Sequence, residues 1–339
     1  MNHFSSSQPP KVICIGEALV DRLGLPGEQF KEGSIYEDYL GGAPANVACG
    51  LARLGTSVAF LGRLGADQIG ERFKELMVER GIQLQALQKD YDRPTRIVKV
   101  RRDLNGDRSF EGFWGDEGKG FADQALELLS IKKAWDSISN DLDWLITGTI
   151  PLATQESSRS LLWTVEKAFS SGIRIAIDIN WRPTFWDEKL NPFSGPSEET
   201  INIIRPILMK ASLLKLAKEE AIWFFKTSDP FEISTSLPQK PDVVVTDGGS
   251  PIVWCLSGLV GETPIISSID VVDTTGAGDA FNAGLIYKLV SVGTLSNTLK
   301  EMNSIIKFAA CCGALVCQGK GAISPQPSIK QVEYFLDSR

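Results

Sequence analysis

Three times along this chain a short apolar run is followed by a helical pattern and then by another apolar run, and this alternation restricts the fold more than any single motif. Lys11 to Ile15 (KVICI) stops at Gly16, Ala45 to Leu54 (ANVACGLARL) places small and apolar residues at helical spacing, and Ser57 to Leu61 (SVAFL) is apolar again. The pattern returns as Trp144 to Thr147, Glu156 to Ser170 and Ile173 to Ile177, and once more as Leu213 to Leu216, Lys218 to Phe225 and Val243 to Thr246. Nearly unbroken apolar strands separated by helices predict a mostly parallel sheet covered on both faces. The last third reads as helices, roughly Ala277 to Val292, Leu295 to Val316 and Ser328 to Leu336. With 339 residues, 43% of them hydrophobic, the chain can bury one large core and carry a smaller unit beside it.

Two segments depart from the alternation. Leu19 to Leu40 is rich in Gly, Glu and Asp, and Thr95 to Phe113 alternates polar and apolar residues around Asn105-Gly106, a hairpin signal. Both are expected as antiparallel strands forming a small β lid. The predicted organisation is a large α/β domain from 11–18, 41–93 and 116–339, a lid from 19–40 and 94–115, and a disordered N-terminus over 1–10. Pro183 to Pro196 reads as a loop, and no internal repeat is present.

The same residues exclude several functions. Net charge is -7 and the 35 basic residues are scattered, so a nucleic-acid partner is not expected. The start, MNHFSSSQPP, has no basic stretch followed by an apolar one, and nothing reaches the ~18 consecutive apolar residues of a membrane span, which predicts a soluble, unprocessed, cytoplasmic protein without a membrane partner. The six cysteines lie mostly in apolar runs and form no C-x-x-C pair, as buried side chains in a reducing compartment would. His3 is the only histidine, so Cys-His, Ser-His-Asp and multi-histidine metal sites are excluded. A general base must then be a carboxylate, a lysine or a tyrosine.

Two constellations carry chemistry. In VVDTTGAGDAFNAG (Val271 to Gly284), Ile269 to Val272 is β-like and Ala280 to Leu289 helix-like, which puts Gly276, Ala277 and Gly278 at the mouth of a helix. Unpaired N–H groups and small side chains there suit an anion, and Asp279 beside them suits acceptance of a hydroxyl proton. A tight turn with Asp279 complementing the helix dipole explains the stretch equally well. In GGAPAN (Gly41 to Asn46), Gly41 and Gly42 permit close backbone approach and Asn46 offers donor and acceptor to a polyhydroxylated ligand; a turn with Asn46 near an N-cap is the alternative. Neither G-x-x-x-x-G-K-[ST] nor G-x-G-x-x-G occurs.

Together the two constellations resemble the pfkB, or ribokinase-like, family of carbohydrate kinases. GGAPANVACGLARLG followed by FLGRLGADQIG is similar to its N-terminal signature and DTTGAGDAFNAGLI to its C-terminal one, over Val12 to roughly Pro327. The resemblance implies a ribokinase-like α/β fold and transfer of phosphate from ATP, with Mg2+, to a small-molecule sugar. By that resemblance Asp279 is the base, the amides of Gly276, Ala277 and Gly278 hold the phosphoryl charge, and Asp21, Gly41, Gly42 and Asn46 grip sugar hydroxyls. Asp178 to Arg182 (DINWR) resembles the D-x-N-x-R of fructokinases and related ketose or keto-acid kinases, with Asn180 at the sugar and Arg182 clamping the phosphate, unless Arg182 pairs structurally with Asp187. Trp181 and Trp186 are expected to pack. Thr246 and Gly248 in VVVTDG, with Lys215 and Gly313, are assigned to the nucleotide, Glu220 to magnesium through water, and Asp273 and Thr275 to a monovalent cation such as K+. For Lys215 a solvated or structural role is the alternative.

The chain also departs from the family pattern. Ala217 stands where an Asn-x-x-Glu segment has its asparagine, Pro251 where fructokinases carry glycine, Phe113-Trp114-Gly115 where a Phe-Tyr-Arg is usual, and Phe308-Ala309-Ala310 where Phe-Ala-Asn is usual. Arg101, Arg102 or Arg108 is the candidate replacement for the missing lid arginine. The expected activity is an ATP-dependent fructokinase; a 2-keto-3-deoxygluconate kinase or other pfkB sugar kinase is the enzymatic alternative, and a non-catalytic, kinase-like assembly protein the alternative of another class. The family often dimerises through the lid, so a homodimer is part of the expectation.

Overall fold

Alternate residues of the first apolar run face opposite sides of a sheet. In the computed structural model, which describes residues 9–25, 27, 35–102, 108–267, 269–293 and 298–338, Val12 and Cys14 enter one buried cluster and Ile13 and Ile15 the other. The strands in chain order are β1 (Val12–Ile15), β2 (Leu19–Gly24), β3 (Tyr36–Gly41), β4 (Val58–Leu61), β5 (Arg63–Gly65), β6 (Gln88–Asp90), β7 (Ile97–Arg102), β8 (Arg108–Trp114), β9 (Trp144–Thr147), β10 (Arg174–Asp178), β11 (Leu213–Ala217), β12 (Asp242–Thr246), β13 (Ile252–Leu256) and β14 (Leu259–Thr263). The central sheet has the order β14-β13-β12-β11-β10-β9-β1-β4, parallel from β12 to β4, as the alternation predicts. Only the pairings β12–β13 and β13–β14 are antiparallel, so β13 alone runs against the other strands.

One face is covered by α1 (Ala43–Leu54), α2 (Gln68–Glu79), α9 (Ala277–Val292), α10 (Leu299–Val316) and α11 (Ile329–Asp337). The other carries α3 (Leu128–Ser139), α4 (Gln155–Ser170), α6 (Glu198–Leu208), α7 (Lys218–Phe225) and α8 (Pro230–Ser236), while α5 (Pro183–Trp186) is a single turn. Local chemistry sets the ends: Asp67 accepts the Gly70 N–H at 2.8 Å to start α2, and Gly55 closes α1 in the left-handed region at φ 97°. All six cysteines are free and buried. No described helix is long and apolar enough to cross a membrane.

A second sheet, β3-β2-β7-β8, is built from the two segments that break the alternation, with β2 and β7 parallel and the outer pairs antiparallel. Three residues, Gly16 to Ala18, connect β1 to β2, and Gly42 alone separates β3 from α1. The junction between the sheets is therefore built from GE at one crossing and GGAPAN at the other. Asn105-Gly106 and the first eight residues, including His3, lie outside the described residues.

Some local expectations change. α1 begins at Ala43 rather than Ala45, because Pro44 in the first turn needs no N–H partner. Val271 and Val272 join no strand; Val272 N–H donates to Cys317 O at 2.8 Å, and both valines are 58% exposed, so the β-branched run is a connector. The loop over 183–196 contains the short α5. α10 is described only from Leu299, residues 294–297 lying outside the described set.

Candidate active site

Parallel strands bring their carboxyl ends to one edge, where ligands bind in open α/β sheets. There β1 delivers Glu17, β10 ends at Asp178, β11 at Ala217 and β12 at Thr246, and α9 begins. A cavity of about 490 Å³ opens at this edge, walled by Asn46, Asp178 and the first turn of α9 and roofed by lid residues such as Asp21, Val100 and Phe110.

The opening turn of α9 is fixed from behind. Asp273 Oδ1 accepts the Thr275 N–H at 3.0 Å and hydroxyl at 2.7 Å, and its Oδ2 accepts Gly321 N–H at 2.9 Å. Gly276 then turns at φ 78°, where a Cβ would stand 2.5 Å from the Ala322 Cβ. Only glycine satisfies both the left-handed backbone and that contact. Ala277 N–H is already spent on Thr274 O at 3.2 Å, so of the three amides assigned from sequence, those of Gly276 and Gly278 are the better placed as helix-terminal donors.

Asp279 sits in this first turn. Asn46 Nδ2 donates to its Oδ2 at 2.7 Å, joining α1 to α9. Burial pushes the Asp279 carboxyl up to about 6; the Asn46 hydrogen bond opposes that, Asp178 adds to it, and the charges of Lys215 and Arg182 pull it back. Lys215 Nζ lies 3.1 and 3.3 Å from the Asp178 carboxylate oxygens, and a Cβ on Gly278 would be 3.1 Å from the same ammonium. Burial works against the Lys215 charge, yet Asp178, Glu220 and Asp279 outweigh it and raise its pKa, so the ammonium is charged at neutral pH. Asn282, one turn below Asp279, donates to Asp178 Oδ2 at 2.7 Å and completes the counter-ion's setting.

Gly42 precedes α1 at φ 98°, with its missing side chain facing the Glu17 carbonyl at what would be 2.7 Å. It is the N-cap; Asn46 lies inside the helix, with its side chain turned to Asp279, so the N-cap alternative does not hold. Asn46 Oδ1 is buried without a partner among the described residues. Gly41 leaves room for Asp21, whose Oδ2 would be 3.2 Å from a Cβ there. Glu17 is 2% exposed, accepts the Ala43 N–H at 3.2 Å, and is pushed by burial up to about 8, which leaves it protonated at pH 7.

Asn180 takes a left-handed conformation at φ 43°, tolerable for asparagine, and brings the following Arg182 to the cavity. Arg182 Nη1 donates to Trp181 O at 2.9 Å and forms no ion pair among the described residues, so the Asp187 alternative is not realised. Trp181 donates Nε1–H to Ser194 O at 2.8 Å and packs on Trp186, in agreement with their expected packing role.

The cavity thus gathers Asp21, Gly42, Asn46, Asn180, Arg182, Lys215, Thr275 and Gly276 to Asp279. Gly41, Thr246, Gly248, Gly313, Glu220 and Asp273 stand outside its wall. Glu220 Oε1 accepts Trp181 N–H at 2.6 Å and Oε2 accepts Ala217 N–H at 2.8 Å, so it ties the DINWR segment to the start of α7. Gly313 lies in α10 where a Cβ would meet Ala277 O at 2.9 Å, a helix-packing contact. Thr246 donates to Leu216 O at 3.4 Å, and Gly248 has open space around it. Arg101 pairs with Glu111 at 3.2 Å on the lid, and the side chains of Arg102 and Arg108 lie outside the described residues. Glu17, Asp178 and Asn282 are site residues that motif reading left unassigned; Glu17 and Asp178 were visible as carboxylates at the ends of apolar strands.

No group of three His, Cys, Asp or Glu side chains able to hold a metal ion occurs among the described residues. Magnesium is commonly held by one or two carboxylates together with substrate phosphates and water and needs no such group.

Comparison with known proteins identifies the chain's family and fold. The family described as pfkB family carbohydrate kinase matches residues 9–329. A fructokinase of Escherichia coli is 32% identical over 330 residues, covering 95% of this chain and 98% of that protein. Among solved structures, fructokinase with bound ATP from Xylella fastidiosa superposes with a TM-score of 0.81 at 26% identity, over 97% of this chain and 98% of that one. Fructokinase from Vibrio cholerae O395, in a fructose, ADP and calcium ion bound form, gives a TM-score of 0.78 at 28% identity, over 98% and 100%. The chain belongs to the pfkB family of carbohydrate kinases and has the ribokinase-like fold.

Proposed function

We propose that this pfkB carbohydrate kinase is a fructokinase, transferring the γ-phosphoryl group of ATP to a hydroxyl of D-fructose with Asp279 as general base. The observation that carries the reading is the Asp279 carboxylate, oriented by Asn46 and facing the cavity beside the helix-terminal amides of Gly276 and Gly278. A carboxyl pushed up to about 6 is mostly ionised at pH 7 yet basic enough to accept a hydroxyl proton. The sugar oxygen, giving its proton to Asp279, bonds to the γ-phosphorus as the bond to the ADP oxygen breaks. Arg182 and Lys215 face the transferred group, where positioning and charge stabilisation supply most of the rate. Asn46 and Asp21, both on the cavity wall, would meet the sugar hydroxyls. Magnesium, when bound, would neutralise the nucleotide phosphates; Asp178 is the carboxylate on the cavity wall that would face it, and Glu220, whose oxygens are held by backbone N–H groups, could reach it only through water.

A neutral sugar is favoured over a keto acid. Lys215 and Arg182 are the only cations on the described cavity wall, both at the phosphate end, and the lid contributes Val98, Val100 and Phe110. Among the described residues under that roof, Ser109 is a polar contact but no cation stands ready for an anionic substrate's carboxylate. ADP release with Mg-ATP against fructose, ribose, glucose, adenosine and 2-keto-3-deoxygluconate tests the reading: the greatest kcat/KM is expected for fructose, and preference for the keto acid would overturn it. Potassium activation through Asp273 and Thr275 belongs to the same proposal, and equal rates in potassium and tetramethylammonium buffers would remove it. So does pairing of two copies through the lid, which sedimentation reads.

A further inference from the structure

Lid and body meet at Arg96, a residue no motif singled out. It immediately precedes β7 and is 2% exposed. Its Nε and Nη2 donate to Asp123 Oδ2 and Oδ1 at 2.8 and 3.0 Å, and its carbonyl accepts Val20 N–H from β2 at 3.0 Å. The guanidinium carbon lies 4.7 Å from the Phe113 ring centroid, 4.7 Å from that of Phe121 and 4.9 Å from that of Phe185. These rings come from three places: Phe113 from lid strand β8, Phe121 from the body, and Phe185 from α5, three residues beyond Arg182. Phe113 meets Phe185 edge-on at 5.0 Å and Phe110 at 5.1 Å. Phe110 and Phe185 line the catalytic cavity, whereas Arg96 and Asp123 stand behind it.

A buried ion pair is an expensive way to fill space, since apolar residues of similar volume often stabilise as well or better. What the pair adds is direction: a planar guanidinium bound at two points admits rings only above and below it and so fixes the lid's register.

We infer that Arg96 and Asp123 are positioning residues for phosphoryl transfer, coupling the lid to the Asn180–Arg182 segment through the Phe113–Phe185 contact and so shaping the sugar-facing wall. The inference rests on the sugar-kinase reading for its kinetic consequence, and on the fold alone for the coupling itself.

Arg96→Met alone leaves Asp123 buried and unpaired and is expected to fold poorly. The test therefore uses Arg96→Met/Asp123→Leu, which removes both charges, and Phe113→Leu, which spares the pair and breaks the link. Two readouts are taken: KM for fructose and for ATP, and hydrogen exchange of the amides of Val98–Val100 and Asn180–Phe185. Misplacement of the wall predicts fructose KM raised about ten-fold in the double variant and about three-fold in Phe113→Leu, with ATP KM within about two-fold. Exchange should rise in both segments together. A folded double variant with wild-type fructose KM and exchange, or exchange raised in the lid segment only, overturns the inference. Should the double variant not fold, Phe113→Leu decides alone by the same criteria. A wild-type protein inactive on every sugar would sink the kinase reading, while the exchange measurement would still decide the coupling.

Discussion

Asn46 and Asp279, 233 positions apart in sequence, are joined by a 2.7 Å hydrogen bond from the Asn46 amide to the Asp279 carboxylate. The bond links the two segments whose motifs define the site, and it stabilises the charged form of a carboxylate that burial otherwise disfavours.

Removing that donor should make Asp279 harder to ionise. Asn46→Leu is expected to shift the acid limb of the kcat/KM profile for sugar upward and to lower kcat/KM at pH 7.5 by about ten- to a hundred-fold, part of it from loss of the sugar contact proposed for Asn46. An unmoved acid limb would show that the hydrogen bond does not tune the base.

A general base at Asp279 works only when ionised. With its carboxyl pushed up to about 6, activity should fall as pH drops through that value and be nearly flat just above 7. A limb centred near 4 would mean that the carboxyl is as solvated as an ordinary surface aspartate.

The same shift has a cost in stability. Below pH 4 the carboxyl is protonated in both folded and unfolded states; between 4 and 6 the unfolded chain ionises while the folded one keeps its proton, so stability declines, and above 6 the full penalty remains. Because the carboxylate is partly open to the cavity, the penalty is about 1–2 kcal/mol rather than the whole product of the shift. Asp279→Asn should therefore be more stable than wild type to urea at pH 7.5, with the difference vanishing near pH 4.

Lys215 is held by Asp178, which Asn282 orients at 2.7 Å. Lys215→Met should reduce kcat about a hundred-fold, and Asn282→Leu about ten-fold with a smaller change in sugar KM. An Asn282→Leu enzyme with wild-type kcat would reduce that residue to packing.

Gly276 cannot carry a side chain without displacing Ala322. Gly276→Ala is expected to cost stability by about 1–3 kcal/mol and to abolish most turnover by moving the donor amides, measured as urea midpoint and kcat on the same preparation.

Much of this was legible in the sequence because period and chemistry coincide. The alternation from KVICI onward read directly as the parallel sheet, and GAGD marked the start of α9 at Ala277. The antiparallel β13–β14 pair went unread although Ser257-Gly258, at φ 49° and 78°, is a two-residue hairpin signal. Val271 and Val272 misled because β-branched residues fit any extended connector, not only a sheet. At the site, single motifs named residues that line the cavity, such as Asn46, Arg182 and Asp279, but not those that hold them in place. Asn282, Glu17 and Arg96 act through partners 104, 26 and 27 positions away, which no local pattern encodes.

The most direct test of the central claim is kcat of Asp279→Asn with fructose and Mg-ATP, alongside its affinity for ATP. Loss of at least about a thousand-fold in kcat with ATP affinity within about three-fold is predicted for a general base that does not hold the nucleotide. A variant retaining kcat within about ten-fold of wild type would contradict the assignment of Asp279 as the base.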